Sequence, residues 1–417
     1  MKIGYLKFSM NMEIDFTRGK IGNIEGRATL FRAIIDAGYH LTLYSQITKP
    51  EEKSLYEKDY ENEYGIDNSW FASIDYKPNS PVDEDTDLLI VENGPDNLLF
   101  KTRFPSFHDK NGSKQTFIRR SAEAIDSYNG IVFFLNIHPD VPFPLRKMAN
   151  SEVDFSDKSN IYRLENGSLP EHGWASHKEF YKNKKLIFFN QAYNNEKYLD
   201  FFDGNRQGYR DSGVVTHRLP ILFGRWLLPK KIRKRKYSKL KEHEIVYMGY
   251  PRAREKEFEY YFFNLARKHK MDAWGPWDKK ANYEFKRKSM RSNIDVHGFL
   301  PAQIMCTEIY NKSIVSLGLI SKKLQQCGWV THRTLETIQS GCILLGIRGA
   351  DGINEYLDDE FLISSKKEFG FLVEKIIGLN QKDRKSQWRK QFEKIKKYDG
   401  EYMVDYLLKI YNKERRR

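Results

Sequence analysis

The chain has 417 residues, which is too long for one ordinary core, and its 40% hydrophobic and 30% charged residues are typical of a soluble globular protein. Its three cysteines are widely spaced and lack a CxxC pair, which argues against a disulfide framework or a cysteine-based zinc site and fits a reducing cytoplasm. The net charge of +14 predicts either a polyanionic partner or an ordinary basic surface.

The first half of the chain alternates short apolar strands with helical segments. Residues 2–8 form a strand pattern rather than a signal peptide, and an apolar stripe over residues 28–35 predicts a helix that ends at Gly38. Further strands are predicted at residues 40–44, 87–91, 130–135 and 185–189. Every apolar run is too short to cross a membrane. This alternation predicts a parallel sheet with helices on both faces.

A basic stretch over residues 229–241 separates this half from a second α/β pattern. The predicted strands of the second pattern are residues 244–248, 271–274, 295–296, 314–317 and 343–347, with helical segments at 258–265 and 335–338 and a charged helical tail at 382–413. We therefore expect a domain at residues 1–228, a linker at 229–243, a second domain at 244–381 and a helical tail at 382–417. Both domains are expected to be Rossmann-like.

The first candidate motif of the second domain is a glycine turn that leads into a helix. Gly249 follows an apolar strand, and Arg252 and Arg254 follow within five residues. Glycine lets a ligand approach the backbone, the helix start favours an anion, and arginine donates forked hydrogen bonds to phosphate oxygens. An arginine pair at a helix start is also common as a solvated surface, so this pattern alone is a weak signal.

The second motif pairs opposite charges on one helix. Arg333 and Glu336 are three residues apart and share a helix face, which suits a cation for a diphosphate beside a carboxylate for ribose hydroxyls. The alternative is an ordinary ion pair worth about 0.3–0.5 kcal/mol. A third motif, Gly298 followed by Phe299, ends a short strand and suits a nucleobase pocket or a plain turn.

These motifs, in this order, resemble the phage DNA β-glucosyltransferases, GT-B enzymes that transfer a sugar from a UDP-sugar to 5-hydroxymethylcytosine in duplex DNA. Arg252 matches the family's Gly-x-x-Arg, and Arg254 matches its second arginine if two loop residues are deleted. The stretch 331–336 matches Thr-Leu-Arg-x-x-Glu, in which arginine contacts the diphosphate and glutamate the ribose. Gly298 with Pro301 matches a Gly-x-x-Pro at the base pocket.

The resemblance implies three further site positions. Lys322 or Lys323 lies where the family has a phosphate-contacting lysine, and Glu25 lies where a glutamate near the sugar is expected. The family's catalytic base is an aspartate that closes a strand before Pro-Phe. Here Pro142 and Phe143 follow both His138 and Asp140, so the base is His138 without a gap or Asp140 after a two-residue shift; Asp140 keeps the residue type.

The implied protein is a two-domain, monomeric GT-B enzyme in the cytoplasm of an infected cell, with its last helix returning to the first domain. The implied partners are double-stranded DNA and a UDP-sugar carrying glucose or arabinose, with inversion at the sugar. No metal-ligand spacing is present, so Mg²⁺ or Mn²⁺ is expected only through the diphosphate. Alternatives are a GT-B transferase for a small molecule, glycan or protein, and a DNA-binding protein that uses the scaffold without turnover.

Overall fold

The structure is a computed structural model of the chain. It describes residues 1–7, 25–44, 73–77, 80–93, 128–136, 185–190, 215–219, 237–249, 254–275, 277, 293–298, 300, 305–320, 325, 328 and 330–417.

The first half of the chain contributes a sheet of seven parallel strands in the order β3-β2-β1-β4-β5-β6-β7. A left-handed Gly38 follows the only helix described within this half and turns the chain into the second strand. The elements are β1 (Lys2–Lys7), α1 (Glu25–Asp36), β2 (His40–Leu43), β3 (Ile74–Tyr76), β4 (Leu88–Asn93), β5 (Ile131–Asn136), β6 (Lys185–Asn190) and β7 (Val215–Arg218).

The second half contributes a sheet of six parallel strands in the order β10-β9-β8-β11-β12-β13. Its elements are β8 (His243–Met248), α2 (Glu255–Leu265), β9 (Met271–Trp274), β10 (Ile294–His297), a π-helical turn (Met305–Tyr310), β11 (Ser313–Leu317), α3 (His332–Gln339), β12 (Ile343–Ile347), two 3₁₀ turns (Ile353–Glu355 and Asp359–Phe361) and β13 (Leu362–Ile363). The predicted α/β class with two Rossmann-like sheets is confirmed.

Both sheets reverse direction in their middle. The chain runs outward from β1 to β3 and then crosses back to β4, and it repeats this path from β8 through β10 to β11. The connections that follow β1 and β4 therefore run toward opposite edges of the first sheet, and those that follow β8 and β11 run toward opposite edges of the second sheet. A crevice opens at the carboxyl ends of the strands at such a switch point, and ligands of open α/β sheets bind there.

Three helices end the chain and divide between the two sheets; the first lies before the predicted charged tail, and the tail forms the other two. They are α4 (Lys366–Gly378), α5 (Gln381–Ile395) and α6 (Gly400–Arg415), each begun by a side chain that caps the first turn. In α5, the Gln391 side chain accepts from the Leu344 amide at 2.9 Å and donates to the Leu344 carbonyl at 2.7 Å, so this helix packs on β12 of the second sheet. In α6, Met403 and Leu407 join the buried cluster of the first sheet and α1.

The two halves of the fold also meet at the end of β7. The Arg218 guanidinium forms an ion pair with Glu355 and donates to the Tyr356 hydroxyl at 3.2 Å, while the Arg218 carbonyl accepts from the Tyr406 hydroxyl at 2.7 Å. The domain boundaries drawn from the sequence stay predictions. Within the described ranges, no helix combines the length and the apolar character needed to cross a membrane.

Candidate functional site

Four neighbouring strands of the second sheet end at glycine. Gly249 follows β8, Gly275 follows β9, Gly298 follows β10 and Gly318 follows β11. The Gly249 amide donates to the Trp274 carbonyl at 3.0 Å, and the Gly275 amide donates to the Gly298 carbonyl at 3.2 Å. The rim at the carboxyl ends of these strands therefore carries backbone without side chains, where a ligand can approach the main chain closely.

Gly249 makes room for an arginine from a distant helix. The Arg333 Nη1 donates to the Met248 carbonyl at 2.8 Å, which brings the guanidinium to the end of β8. A Cβ atom on Gly249 would lie 2.8 Å from that Nη1 and 2.5 Å from the Tyr247 hydroxyl. Glycine is therefore needed here because the arginine and the tyrosine occupy the space that any side chain would take.

Arg333 and Glu336 do not form the helix ion pair that their spacing allows. Both side chains are part-buried on α3, and within the described part of the chain no salt bridge or hydrogen bond joins them. Arg333 is instead turned toward β8, and one nitrogen of its five-donor guanidinium is committed there. The site therefore keeps a cation and a carboxylate on one helix, each able to contact a ligand.

Arg254 approaches the same point from α2. It stands at the first position before that helix, and its backbone amide donates to the Glu255 carboxylate at 3.1 Å. Burial raises the pKa of Tyr247, whereas the neighbouring guanidinium groups of Arg254 and Arg333 act in the opposite direction. Two positive groups from different helices therefore converge beside one buried hydroxyl at the Gly249 turn, which is the switch point of this sheet.

A buried carboxylate that the sequence analysis missed supports the far side of the rim. Asp272 in β9 accepts from His243 Nδ1 at 2.9 Å and from His297 Nε2 at 2.7 Å. Burial raises the pKa of Asp272, but the hydrogen bonds from the two histidines outweigh burial and lower it. The His297 ring stacks on Trp274 with centroids 3.8 Å apart. This network fixes the end of β10, immediately before Gly298.

The signal for this network was present in the sequence. An aspartate within an apolar strand needs a buried partner, because an unpaired buried carboxylate is costly. Its partners, however, lie on two other strands, and only the register of the folded sheet identifies them.

Three neighbouring strands of the first sheet end at asparagine. Asn93 of β4 is paired with Asn136 of β5, which is paired with Asn190 of β6 in the parallel register. Asparagine has both donor and acceptor groups. The row stands at the carboxyl edge of the first sheet, and the chain continues from Asn136 directly into the segment that contains His138 and Asp140.

The structure describes half of the predicted site residues. Gly249, Arg254 and Arg333 lie together, Glu336 is one turn further along α3, Gly298 ends β10, and Glu25 is the first residue of α1. The remaining predicted residues lie outside the described residues: His138, Asp140, Arg252, Phe299, Lys322 and Lys323.

Comparison with solved structures finds the same two-sheet fold in a phage enzyme. T4 phage β-glucosyltransferase in complex with its UDP-glucose substrate matches with a TM-score of 0.59 and 15% sequence identity, over 97% of this chain and 98% of that chain. The same T4 phage protein in complex with UDP and Mn²⁺ matches with a TM-score of 0.58 and 16% identity, over the same shares, 97% and 98%.

The N-terminal domain of Candida albicans trehalose-6-phosphate phosphatase matches with a TM-score of 0.57 and 11% identity, over 99% of this chain and 97% of that chain. No protein-family model matches the sequence, and no curated protein matches it. At these identities the likeness establishes a shared fold, and it confirms the GT-B architecture implied by the sequence resemblance.

Proposed function

We propose that this protein is a glycosyltransferase that moves a sugar from a UDP-sugar to the hydroxymethyl group of 5-hydroxymethylcytosine in double-stranded DNA, with inversion at the sugar. The observation that carries the proposal is the convergence of Arg254 and Arg333 on the glycine turn at residue 249. They meet at the switch point of a Rossmann-like sheet, beside a Glu336 carboxylate that Arg333 leaves unpaired.

The donor half of the site suits a nucleoside diphosphate. Arg254 and Arg333 provide forked donors for diphosphate oxygens, and the carboxylate of Glu336 accepts hydrogen bonds from ribose hydroxyls. The open backbone at Gly298, where an added Cβ would meet none of the described residues within 4 Å, leaves space for the nucleobase. Binding the diphosphate also assists the reaction, since the two arginines stabilise the charge that the leaving UDP gains.

The acceptor half of the site is assigned to the first sheet. The base, Asp140 or His138, takes the proton of the hydroxymethyl group as that oxygen attacks the anomeric carbon. A new bond forms between carbon and the acceptor oxygen, the bond from carbon to the diphosphate oxygen breaks, and UDP departs with the electron pair. A cytosine within a duplex must leave the base stack to reach this site.

A divalent cation in this proposal binds to the diphosphate. Among the described residues, no group of three or more histidine, cysteine or acidic residues could hold a metal ion. One T4 phage β-glucosyltransferase structure contains UDP together with Mn²⁺. Mg²⁺ or Mn²⁺ on this chain would supply additional positive charge to the leaving group, next to that of Arg254 and Arg333.

The proposal is tested with radiolabelled sugar donors. The purified full-length protein is incubated with labelled UDP-glucose or UDP-arabinose, with Mg²⁺ or Mn²⁺, and with duplexes of one sequence that contain either cytosine or 5-hydroxymethylcytosine. We expect label only on the hydroxymethylated duplex. The variant Arg333→Ala should lose transfer, whereas Arg389→Ala, which removes an exposed arginine of α5, should retain it.

Other outcomes distinguish the rival functions. Absence of label from either donor on hydroxymethylated DNA excludes the proposed acceptor. Transfer to a free sugar, a glycan or a protein would favour a GT-B transferase of a different acceptor class. If the protein binds DNA but UDP does not raise its melting temperature, the result would favour a DNA-binding protein that has the same fold but no transferase activity.

A further inference from the structure

Two buried polar atoms that lack a well-aligned hydrogen bond lie at the centre of the proposed diphosphate site. They are the hydroxyl of Tyr247 and the Nε of Arg254. The two side chains are close enough to interact, but neither atom has a hydrogen-bond partner of normal geometry among the residues that the structure describes. Tyr247 is 2% exposed and packs against Phe258 and Trp277 beneath α2. Buried donors and acceptors in proteins are almost always paired, so this pair calls for an explanation.

The surroundings of Tyr247 show what its hydroxyl can contact. The hydroxyl lies 2.5 Å from the position that a Cβ atom on Gly249 would occupy. Arg333 Nη1, which comes from α3, lies 2.8 Å from the same position. Arg254 is the other charged neighbour of the hydroxyl. Arg333 already has an acceptor in the Met248 carbonyl, whereas Arg254 Nε has no well-aligned acceptor within the described part of the chain. The hydroxyl oxygen and this Nε–H are therefore an acceptor and a donor that a small movement of one guanidinium would join.

We propose that Tyr247 is the positioning residue for Arg254: its hydroxyl accepts the Nε–H when the guanidinium turns its outer nitrogens onto a bound diphosphate. Arginine has five N–H donors, so one bond to the tyrosine leaves four for phosphate oxygens. Diphosphate binding then completes a hydrogen bond between two buried atoms that is poorly aligned in the free protein, and this coupling favours the bound arrangement. The inference rests on the proposed function, because it assumes that Arg254 contacts the diphosphate.

The variant Tyr247→Phe separates this role from a structural one. It keeps the ring and removes only the hydroxyl, so the ligand-free protein should melt at the same temperature or higher, since a buried polar atom without a well-aligned hydrogen bond is lost. Its affinity for UDP should fall about five- to tenfold, because Arg254 is no longer held. Its affinity for uridine, which has no phosphate, should stay unchanged. Affinities are measured by isothermal titration calorimetry.

Two further variants make the test specific. Tyr406→Phe removes a hydroxyl that does have a partner, the Arg218 carbonyl at 2.7 Å, so it should lower the melting temperature and leave UDP affinity unchanged. The double variant Tyr247→Phe with Arg254→Ala should bind UDP no more weakly than Arg254→Ala alone. Full additivity of the two losses would show that the residues act independently and would overturn the proposal.

The remaining outcomes are also decisive. Wild-type protein that binds no UDP overturns the nucleotide site itself. Wild-type binding with unchanged UDP affinity in Tyr247→Phe overturns only the positioning role. A Tyr247→Phe protein that fails to fold, or that loses uridine and UDP affinity equally, assigns a structural role to the hydroxyl and also overturns the proposal.

Discussion

Replacement of Gly249 by alanine should damage nucleotide binding through a single methyl group. The added Cβ would lie 2.8 Å from Arg333 Nη1 and 2.5 Å from the Tyr247 hydroxyl, which is closer than side chains approach one another. Arg333 must then give up its 2.8 Å bond to the Met248 carbonyl, and a hydrogen bond to a charged group contributes about 1.5–3 kcal/mol. We expect UDP affinity to fall about 10- to 100-fold, which corresponds to about 1.4–2.8 kcal/mol.

The assay is isothermal titration calorimetry with UDP, accompanied by circular-dichroism melting to show that the variant is folded. Gly378→Ala is the matched control, because a Cβ at the end of α4 would meet nothing within 4 Å, and this variant should bind UDP as the wild type does. A folded Gly249→Ala protein with UDP affinity within about twofold of the wild type would refute the reasoning, since it would show that Arg333 is not needed at the rim.

Three further outcomes are expected. Glu336→Gln should lower UDP affinity by about tenfold and reduce the ratio of the affinities for UDP and 2′-deoxy-UDP, both measured by titration. An unchanged ratio would show that Glu336 does not contact the ribose. Burial lowers the pKa of Lys241 to about 8. Between pH 8 and the usual pKa of lysine, the unfolded chain therefore binds more protons at this residue than the folded protein does. The free energy of unfolding in urea should then rise by about 1.5 kcal/mol from pH 8 to 9.5 relative to that of Lys241→Met, and a difference that does not change with pH contradicts this. Gly370→Ala in α4, where an added Cβ meets nothing within 4 Å, should stabilise the protein by about 0.4–1 kcal/mol, measured in the same urea titrations; a loss of stability would contradict it.

Every interior strand could be predicted from sequence, whereas of the four edge strands only β10 could. Interior strands such as β5 and β12 are apolar runs bounded by polar residues or glycine, because both of their faces are covered. The three strands absent from the prediction are β3, β7 and β13, and each forms one edge of its sheet. β3 and β13 have three and two residues, too few to show a periodicity. β7 has four residues, three of them polar, so it does not form an apolar run.

The candidate site was predictable as separate motifs rather than as an arrangement. Gly249 and Arg333 stand out because a glycine turn and a charged helix start are local patterns. The contact between Arg333 and Met248 joins residues that are 85 positions apart in the chain. The sequence alone does not show that these two residues meet in space. Tyr247 resembles any apolar residue of a buried strand, and only the folded structure shows that its hydroxyl lies between two arginines.

The position of α6 affects the order in which the chain can fold during synthesis. The first sheet is complete in sequence once β7 has been made, but Met403, Leu407 and Ile410 of α6 belong to its buried cluster. Nearly two hundred residues separate these elements, which corresponds to about 10–40 s of translation at about 5–20 residues per second. Throughout that interval the first sheet lacks part of its apolar cover, so the whole second sheet has to be translated before the first sheet can complete its core.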